Sequence, residues 1–233
     1  MVRALIFDVF GTVVDWRTGI TREAEAFFAR HGIAADPASF ADAWRAKYQP
    51  ALEQVRSGDR GYVPLDVLHR ENLAEVFSDL GVDTPIAPAE LAEFTRAWEK
   101  LPPWRDSVPG LTSLKEHHAI APCSNGSIAL MTWLAKFGGL PWDAILGAEI
   151  ARNYKPARDV YLASAGALGL EPGEVMMVAA HNGDLAAARE AGLKTAFLPR
   201  PAEHGQGQTT DLEATLDWDV VAADLENLAA QIT

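Results

Sequence analysis

The chain has 233 residues, with 20 Lys+Arg against 32 Asp+Glu and a formal net charge of −12. Its composition, 48% hydrophobic and 22% charged, is that of a folded globular protein and excludes wholesale disorder. The acidic balance argues against nucleic-acid and anionic-membrane partners, which need a basic surface. At about 150 residues per domain, the length fits one large domain or a core with a smaller companion. Cys123 is the only cysteine, so an internal disulfide and a Cys-based zinc site are both excluded. It is expected to act as a small buried hydrophobe. The apolar run 4–7 is too short for a secretion signal, and no stretch approaches the roughly 20 apolar residues of a membrane span. The expected location is cytoplasmic.

Residues 3–12 read as a buried strand running into a turn. Ala4, Leu5, Ile6 and Phe7 are consecutive apolar residues, as in a parallel strand covered on both faces, and Gly11 ends the run. Asp8 therefore falls at the carboxyl end of a first strand, where open α/β sheets place their ligands. Asp15 is a candidate cap for the next helix. Residues 21–100 then carry helical spacing. Ala24, Phe27, Phe28 and His31 lead to Gly32 as a C-cap. Trp44, Tyr48, Leu52 and Val55 follow at steps of four and three, then Leu65, Leu68, Leu73, Val76, Phe77 and Leu80, and finally Leu91, Phe94 and Trp98. The stripe through Trp44, Tyr48 and Leu52 reads as helix packing. Leu101-Pro102-Pro103-Trp104 breaks the pattern.

From Gly110 the texture alternates. Helices are predicted over 111–118, 128–137, 160–168 and 185–191. Strands are predicted over 119–123, 144–147, 175–180 and 195–198, with an edge strand over 218–221 and a surface loop over 200–211. Such alternation predicts an α/β fold, a doubly wound parallel sheet with helices on both faces. An all-helical block is inserted after the first strand. The expected division is an α/β core from residues 1–15 plus 104–233 and a helical cap from 16–103. Asp8 with Thr12, Ser124 with Asn125, Lys155, and Asp184 with His181 all fall at carboxyl ends of predicted strands. In a doubly wound sheet those ends share one edge, so the four sites converge.

That arrangement resembles the haloacid dehalogenase superfamily, and within it the type II L-2-haloacid dehalogenases. Phe7-Asp8-Val9-Phe10-Gly11-Thr12 matches the first motif, with Asp8 at the nucleophile position. Ser124-Asn125-Gly126 matches the second motif, Tyr154-Lys155-Pro156 followed by Tyr161 the third, and Asp184 the acid of the fourth. Trp44-Arg45-Ala46-Lys47 matches the cap segment that supplies an arginine to the halide pocket. The resemblance implies that Asp8 attacks C2 of a 2-haloacid and forms an ester, which water then hydrolyses. It implies that Lys155 keeps Asp8 ionised, that Asp184 orients or activates the water, and that Thr12 and Ser124 hydrogen-bond carboxylates. Arg45 and Asn125 would stabilise the halide, and Tyr161 would support the Lys155 side. His181 is expected to donate to Asp184 or Asp8. It stands where characterised members look like Asn, and Gly183 stands where they carry a pocket-walling aromatic. On bland readings, Arg45 merely pairs with Asp42 at three-residue spacing and Tyr161 is a core aromatic.

Most of the superfamily is similar to phosphatases that use Asp-x-Asp, the second Asp protonating the leaving alcohol. Here that position is Phe10, which cannot donate a proton. A halide needs none; an alkoxide does. A phosphate dianion beside Asp8 and Asp184, with Lys155 alone to offset it, also calls for magnesium, whereas a haloacid monoanion with Lys155 and Arg45 does not. The expected enzyme is thus a metal-free dehalogenase of small 2-haloacids with no cofactor. The alternative is a magnesium-dependent phosphatase, and a third reading is a non-catalytic binding module, which intact Asp8, Lys155 and Asp184 oppose. Leu140, Trp142 and the cap surface are candidate contacts for a homodimer.

Overall fold

Ala4, Leu5, Ile6 and Phe7 are fully buried in strand β1 (Ala4–Phe7), because both faces of β1 are covered, Leu5 and Phe7 packing into one apolar cluster and Ala4 and Ile6 into another. The computed structural model describes residues 1–82 and 84–232. After β1 come helices α1 (Trp16–His31), α2 (Pro37–Ala46), α3 (Tyr48–Arg56), α4 (Leu65–Asp79) and α5 (Pro88–Thr95), then a 3-10 turn (Arg96–Glu99). The alternating part follows: α6 (Ser107–Lys115), β2 (Ala119–Pro122), α7 (Ile128–Gly138), α8 (Arg158–Ala167), β3 (Val175–Ala179), α9 (Asn182–Glu190), β4 (Lys194–Phe197), β5 (Val220–Val221) and α10 (Leu225–Ile232). The sheet order is β2-β1-β3-β4-β5, and every pairing is parallel.

The register aligns the site. Phe7 is level with Pro122 on one side and Val178 on the other. The Asp8 N–H donates to the Val178 carbonyl at 3.0 Å, and the Cys123 N–H to the Phe7 carbonyl at 2.7 Å. Asp8, Ser124 and His181 therefore leave the sheet at one edge, at the point where the chain winds both ways from β1. Cys123 is buried there, and burial pushes its thiol up to about 11.

The helices between β1 and α6 pack on an aromatic cluster. Phe27 and Phe94 stack at 4.1 Å between centroids, and Phe28, Phe40, Trp44 and Phe77 surround them. Each such pair contributes about 0.5–1.5 kcal/mol beyond area burial. Asp15 caps α1 by accepting the Thr18 N–H at 2.9 Å, and Gly32 closes it at φ 66°. The block is tied back where the Pro102 carbonyl accepts the Asp15 N–H and the Trp104 N–H donates to the Val13 carbonyl. Among the described residues, no helix is long and apolar enough to cross a membrane.

The structure differs from the sequence reading at three places. Residues 144–147 form no strand. Instead Asp143 closes the edge of β2, its N–H on the Ile120 carbonyl and its carboxylate on the Ile120 N–H, and Lys155 follows in a loop. The segment 200–211 is not wholly a surface loop, since Arg200 and Glu203 are buried. Helix α10 was not anticipated; Leu225 packs so closely on α6 that a Cβ on Gly110 would meet its backbone at 2.6 Å. Leu140 is buried, and Trp142 is half-buried with its ring 5.4 Å from that of Phe7.

Gly11 allows Glu203 to reach the sheet edge. It has φ 91°, and a Cβ there would lie 2.1 Å from Glu203 Oε1. Gly139 has φ 65° and open space around it. Gly139→Ala is expected to cost about 1–2 kcal/mol from left-handed strain alone. Gly11→Ala is expected to cost clearly more in urea denaturation, and equal losses would show that Glu203 is not held against Gly11.

Candidate active site

Lys155 is the centre of the site. Its Nζ donates to Asp8 Oδ1 at 2.9 Å and to Asp184 Oδ2. Asp8 comes from the end of β1, Asp184 from the first turn of α9, and Lys155 from the loop before α8. The Tyr161 hydroxyl on α8 donates to Asp184 Oδ1, so Tyr161 acts on the acid rather than on Lys155. Thr12 Oγ1 donates to Asp8 Oδ2 at 2.7 Å and accepts the Ala180 N–H at 2.9 Å. The Lys155 N–H donates to Asn125 Oδ1 at 2.7 Å, which sets the lysine's backbone.

These contacts decide the charges. Burial favours a neutral Asp8, but the Lys155 charge and the His181 hydrogen bond outweigh it and hold the carboxyl well below the usual carboxylate range. Burial likewise favours a neutral Lys155, but Asp184 and Asp8 hold its ammonium above the ordinary lysine range. Burial pushes the Tyr161 hydroxyl up, and the Asp184 charge adds to it, so Tyr161 is a donor.

His181 stands between two carboxylates. Its Nδ1 lies 3.2 Å from Asp8 Oδ2 and its Nε2 lies 2.9 Å from Glu203 Oε2. Burial opposes its charge, yet the hydrogen bonds to Asp8 and Glu203 keep the imidazole protonated well above its ordinary range. Glu203 is buried, and its other oxygen accepts Trp16 Nε1–H at 3.0 Å. Burial raises its carboxyl, but the His181 hydrogen bond and charge win and hold it below the usual range. Arg200 anchors this loop: it grips Asp106 with two hydrogen bonds of 2.7 Å and donates Nε–H to the Thr12 carbonyl.

A cavity of about 480 Å³ opens on this centre. Phe10, Arg45, Tyr48, Asn125 and Gly183 line it with the charged residues. Phe10 packs edge-on against Trp98 at 5.7 Å and closes one wall without a polar atom. The Arg45 guanidinium lies 4.2 Å over the Tyr48 ring, and among the described residues its buried Nη1 has no hydrogen-bond partner. It does not pair with Asp42, which binds Arg17 at 2.7 and 2.8 Å. Asn125 Nδ2 donates to the Tyr48 hydroxyl at 2.9 Å. A Cβ on Gly183 would meet nothing within 4 Å, so this wall is open.

Ser124 Oγ accepts the Gly126 N–H at 3.1 Å, an acceptor role that fixes the oxygen in the turn and does not use the hydroxyl proton. The sequence reading missed two residues. Tyr48 was assigned to packing, although it follows Arg45 by three and so shares its face. Glu203 lies in a Gly- and Gln-rich stretch with no periodicity, and no local signal marks it.

The chain matches the haloacid dehalogenase-like hydrolase family over residues 2–192. It is 54% identical to the solved structure of the defluorinating L-2-haloacid dehalogenase Rha0230, with a TM-score of 0.98 and 99% of this chain and 94% of that one covered. It is 43% identical to the L-2-haloacid dehalogenase PA0810, with a TM-score of 0.95 and 99% and 98% covered. It is 28% identical over 204 residues to an (S)-2-haloacid dehalogenase of Xanthobacter autotrophicus, covering 86% of this chain and 76% of that one.

Replacing Lys155 by Met would leave two buried carboxylates facing each other. Breaking such a pair is expected to cost about 3–5 kcal/mol near neutrality. In the wild type Asp8 is depressed, so its contribution to stability is present above the unfolded carboxylate range and is lost as pH falls. In Lys155→Met one carboxyl is raised, and the variant is expected to gain stability as pH falls from about 8 to about 5. Urea midpoints across that range check this. A midpoint that does not rise relative to the wild type's would contradict it.

Proposed function

The chain belongs to the haloacid dehalogenase-like hydrolases, and from that premise we propose that it hydrolyses the carbon–halogen bond of small 2-haloacids to give 2-hydroxy acids. The Lys155 ammonium held between Asp8 and Asp184, with Phe10 two residues after Asp8, carries this reading. It provides an ionised, buried carboxylate beside an apolar wall that has no proton to give a leaving group. Charge supports it. Lys155, Arg45, Arg56 and protonated His181 offset Asp8, Asp184, Asp211 and the Glu203 behind His181, so a haloacid monoanion enters a site with no net charge.

The residues divide the work in two steps. Asp8 Oδ1 accepts one hydrogen bond, from Lys155, while Oδ2 faces both Thr12 and His181. Oδ1 is thus the freer nucleophile; it attacks C2 from the side opposite the halogen and displaces halide with inversion. Arg45, through its unpartnered Nη1, and Asn125, through its amide, receive the halide. Water then adds to Asp8 Cγ and Asp184 takes its proton. The Cγ–Oδ1 bond breaks, and the product keeps Oδ1 as its hydroxyl oxygen. Helices within 16–103 act as a cap that supplies Arg45 and Tyr48 and excludes water while the ester forms.

Many proteins of this fold are similar to magnesium phosphatases. The donor set here does not fit that ion. The Lys155 ammonium lies between the two carboxylates that would have to share it, and Phe10 removes a carboxylate. Among the described residues, no group of three or more His, Cys, Asp and Glu is arranged to hold a metal.

The likeness to a defluorinating relative extends the expected leaving groups to fluoride. Halide release from each enantiomer of 2-chloropropionate, and from chloroacetate and fluoroacetate, is expected to persist in EDTA. Asp8→Asn is expected to abolish it. Undiminished release by Asp8→Asn, or phosphate release from an aryl phosphate with magnesium and no halide release, would contradict the reading.

A further inference from the structure

The two steps above leave His181 and Glu203 without a task. Resting on the dehalogenase reading, we propose that His181 is the oxyanion donor of the ester-hydrolysis step and that Glu203 is the residue that positions it. The two oxygens of Asp8 have different fates. Oδ1 forms the ester, so Oδ2 becomes the ester carbonyl oxygen. When water adds to Cγ, the C=O π pair moves onto Oδ2, which becomes the oxyanion. Thr12 Oγ1 and His181 Nδ1 already stand 2.7 and 3.2 Å from that atom. Donors fixed in advance where charge develops need no reorganisation at the moment of reaction.

The oxyanion then collapses and the Cγ–Oδ1 bond breaks. The product alkoxide takes the proton that Asp184 drew from water, and the new Asp8 carboxyl releases one proton to solvent. His181 keeps both of its protons throughout. Glu203 makes this possible: its carboxylate faces Nε2 at 2.9 Å, and Trp16 Nε1–H fixes its other oxygen. The charged groups facing the imidazole are Asp8 and Glu203, and Asp184, Lys155, Arg56 and Asp211 line the same cavity. Arg45 and His204 act on Glu203 itself. The balance of these groups keeps the imidazole protonated. A general base would need a neutral ring with a nitrogen facing water, whereas here each nitrogen faces a carboxylate.

Rapid-quench kinetics and intact-mass spectrometry with 2-chloropropionate test this. His181→Leu is expected to slow ester hydrolysis by about 10²–10³. One equivalent of halide should then appear in a burst, and the enzyme should gain the mass of the acyl-linked acid. His181→Gln, which keeps a neutral amide donor, should fall between Leu and wild type. Glu203→Gln should move the alkaline limb of ester hydrolysis to lower pH, because the imidazolium loses its proton sooner, while the ester still forms. If hydrolysis instead rises as the imidazole deprotonates, His181 is a base and the proposal is wrong. If halide burst and hydrolysis fall together with no ester accumulating, the pair is only structural and the proposal is again wrong. A wild type that releases no halide would overturn the dehalogenase reading first, and the proposal with it.

Discussion

A single ammonium group, Lys155 Nζ, holds two buried carboxylates that could not otherwise remain ionised side by side. Two unit charges about 4 Å apart interact by roughly 4 kcal/mol at an effective dielectric near 20, so Asp8 and Asp184 repel strongly without it. The fold serves this contact from several directions. The parallel register brings Asp8 to the sheet edge, Asn125 fixes the Lys155 backbone, and Tyr161 holds Asp184 from behind. Because Lys155 is itself buried, its position is set by packing and hydrogen bonds rather than by solvent. The proposed nucleophile is thus ionised before any substrate arrives.

A second tier stabilises the other side of Asp8. Arg200 joins the loop after β4 to Asp106 and to the Thr12 carbonyl, and the same loop delivers Glu203 under Gly11. Glu203 holds His181, and His181 and Thr12 share Asp8 Oδ2. The two Asp8 oxygens therefore have unlike environments. One faces the lysine and the cavity, and the other is held by donors. On the proposed mechanism, that asymmetry permits one oxygen to attack and the other to carry charge afterwards.

Much of this was legible from residue patterns. The apolar run 4–7 marked a central strand because only a strand covered on both faces tolerates four consecutive apolar residues. The βα alternation placed Asp8, Asn125 and Asp184 at one edge, and Asp15 and Gly32 marked the ends of α1. What stayed hidden depends on contacts distant in sequence. Glu203 has no periodic neighbours, and its burial comes from Trp16 and His181, far along the chain. Residues 144–147 looked like a strand because they are apolar, but the Asp143 side chain had already taken the β2 edge.

On the proposed mechanism Asp8 forms a bond to the substrate through its own oxygen. A single turnover in ¹⁸O-labelled water, with enzyme in excess over 2-chloropropionate, tests it most directly. The label is predicted to appear in the peptide that contains Asp8, and the 2-hydroxy acid released in that turnover is predicted to carry unlabelled oxygen. Label in the product and none in Asp8 would mean that water attacks the substrate itself, and the account would fail.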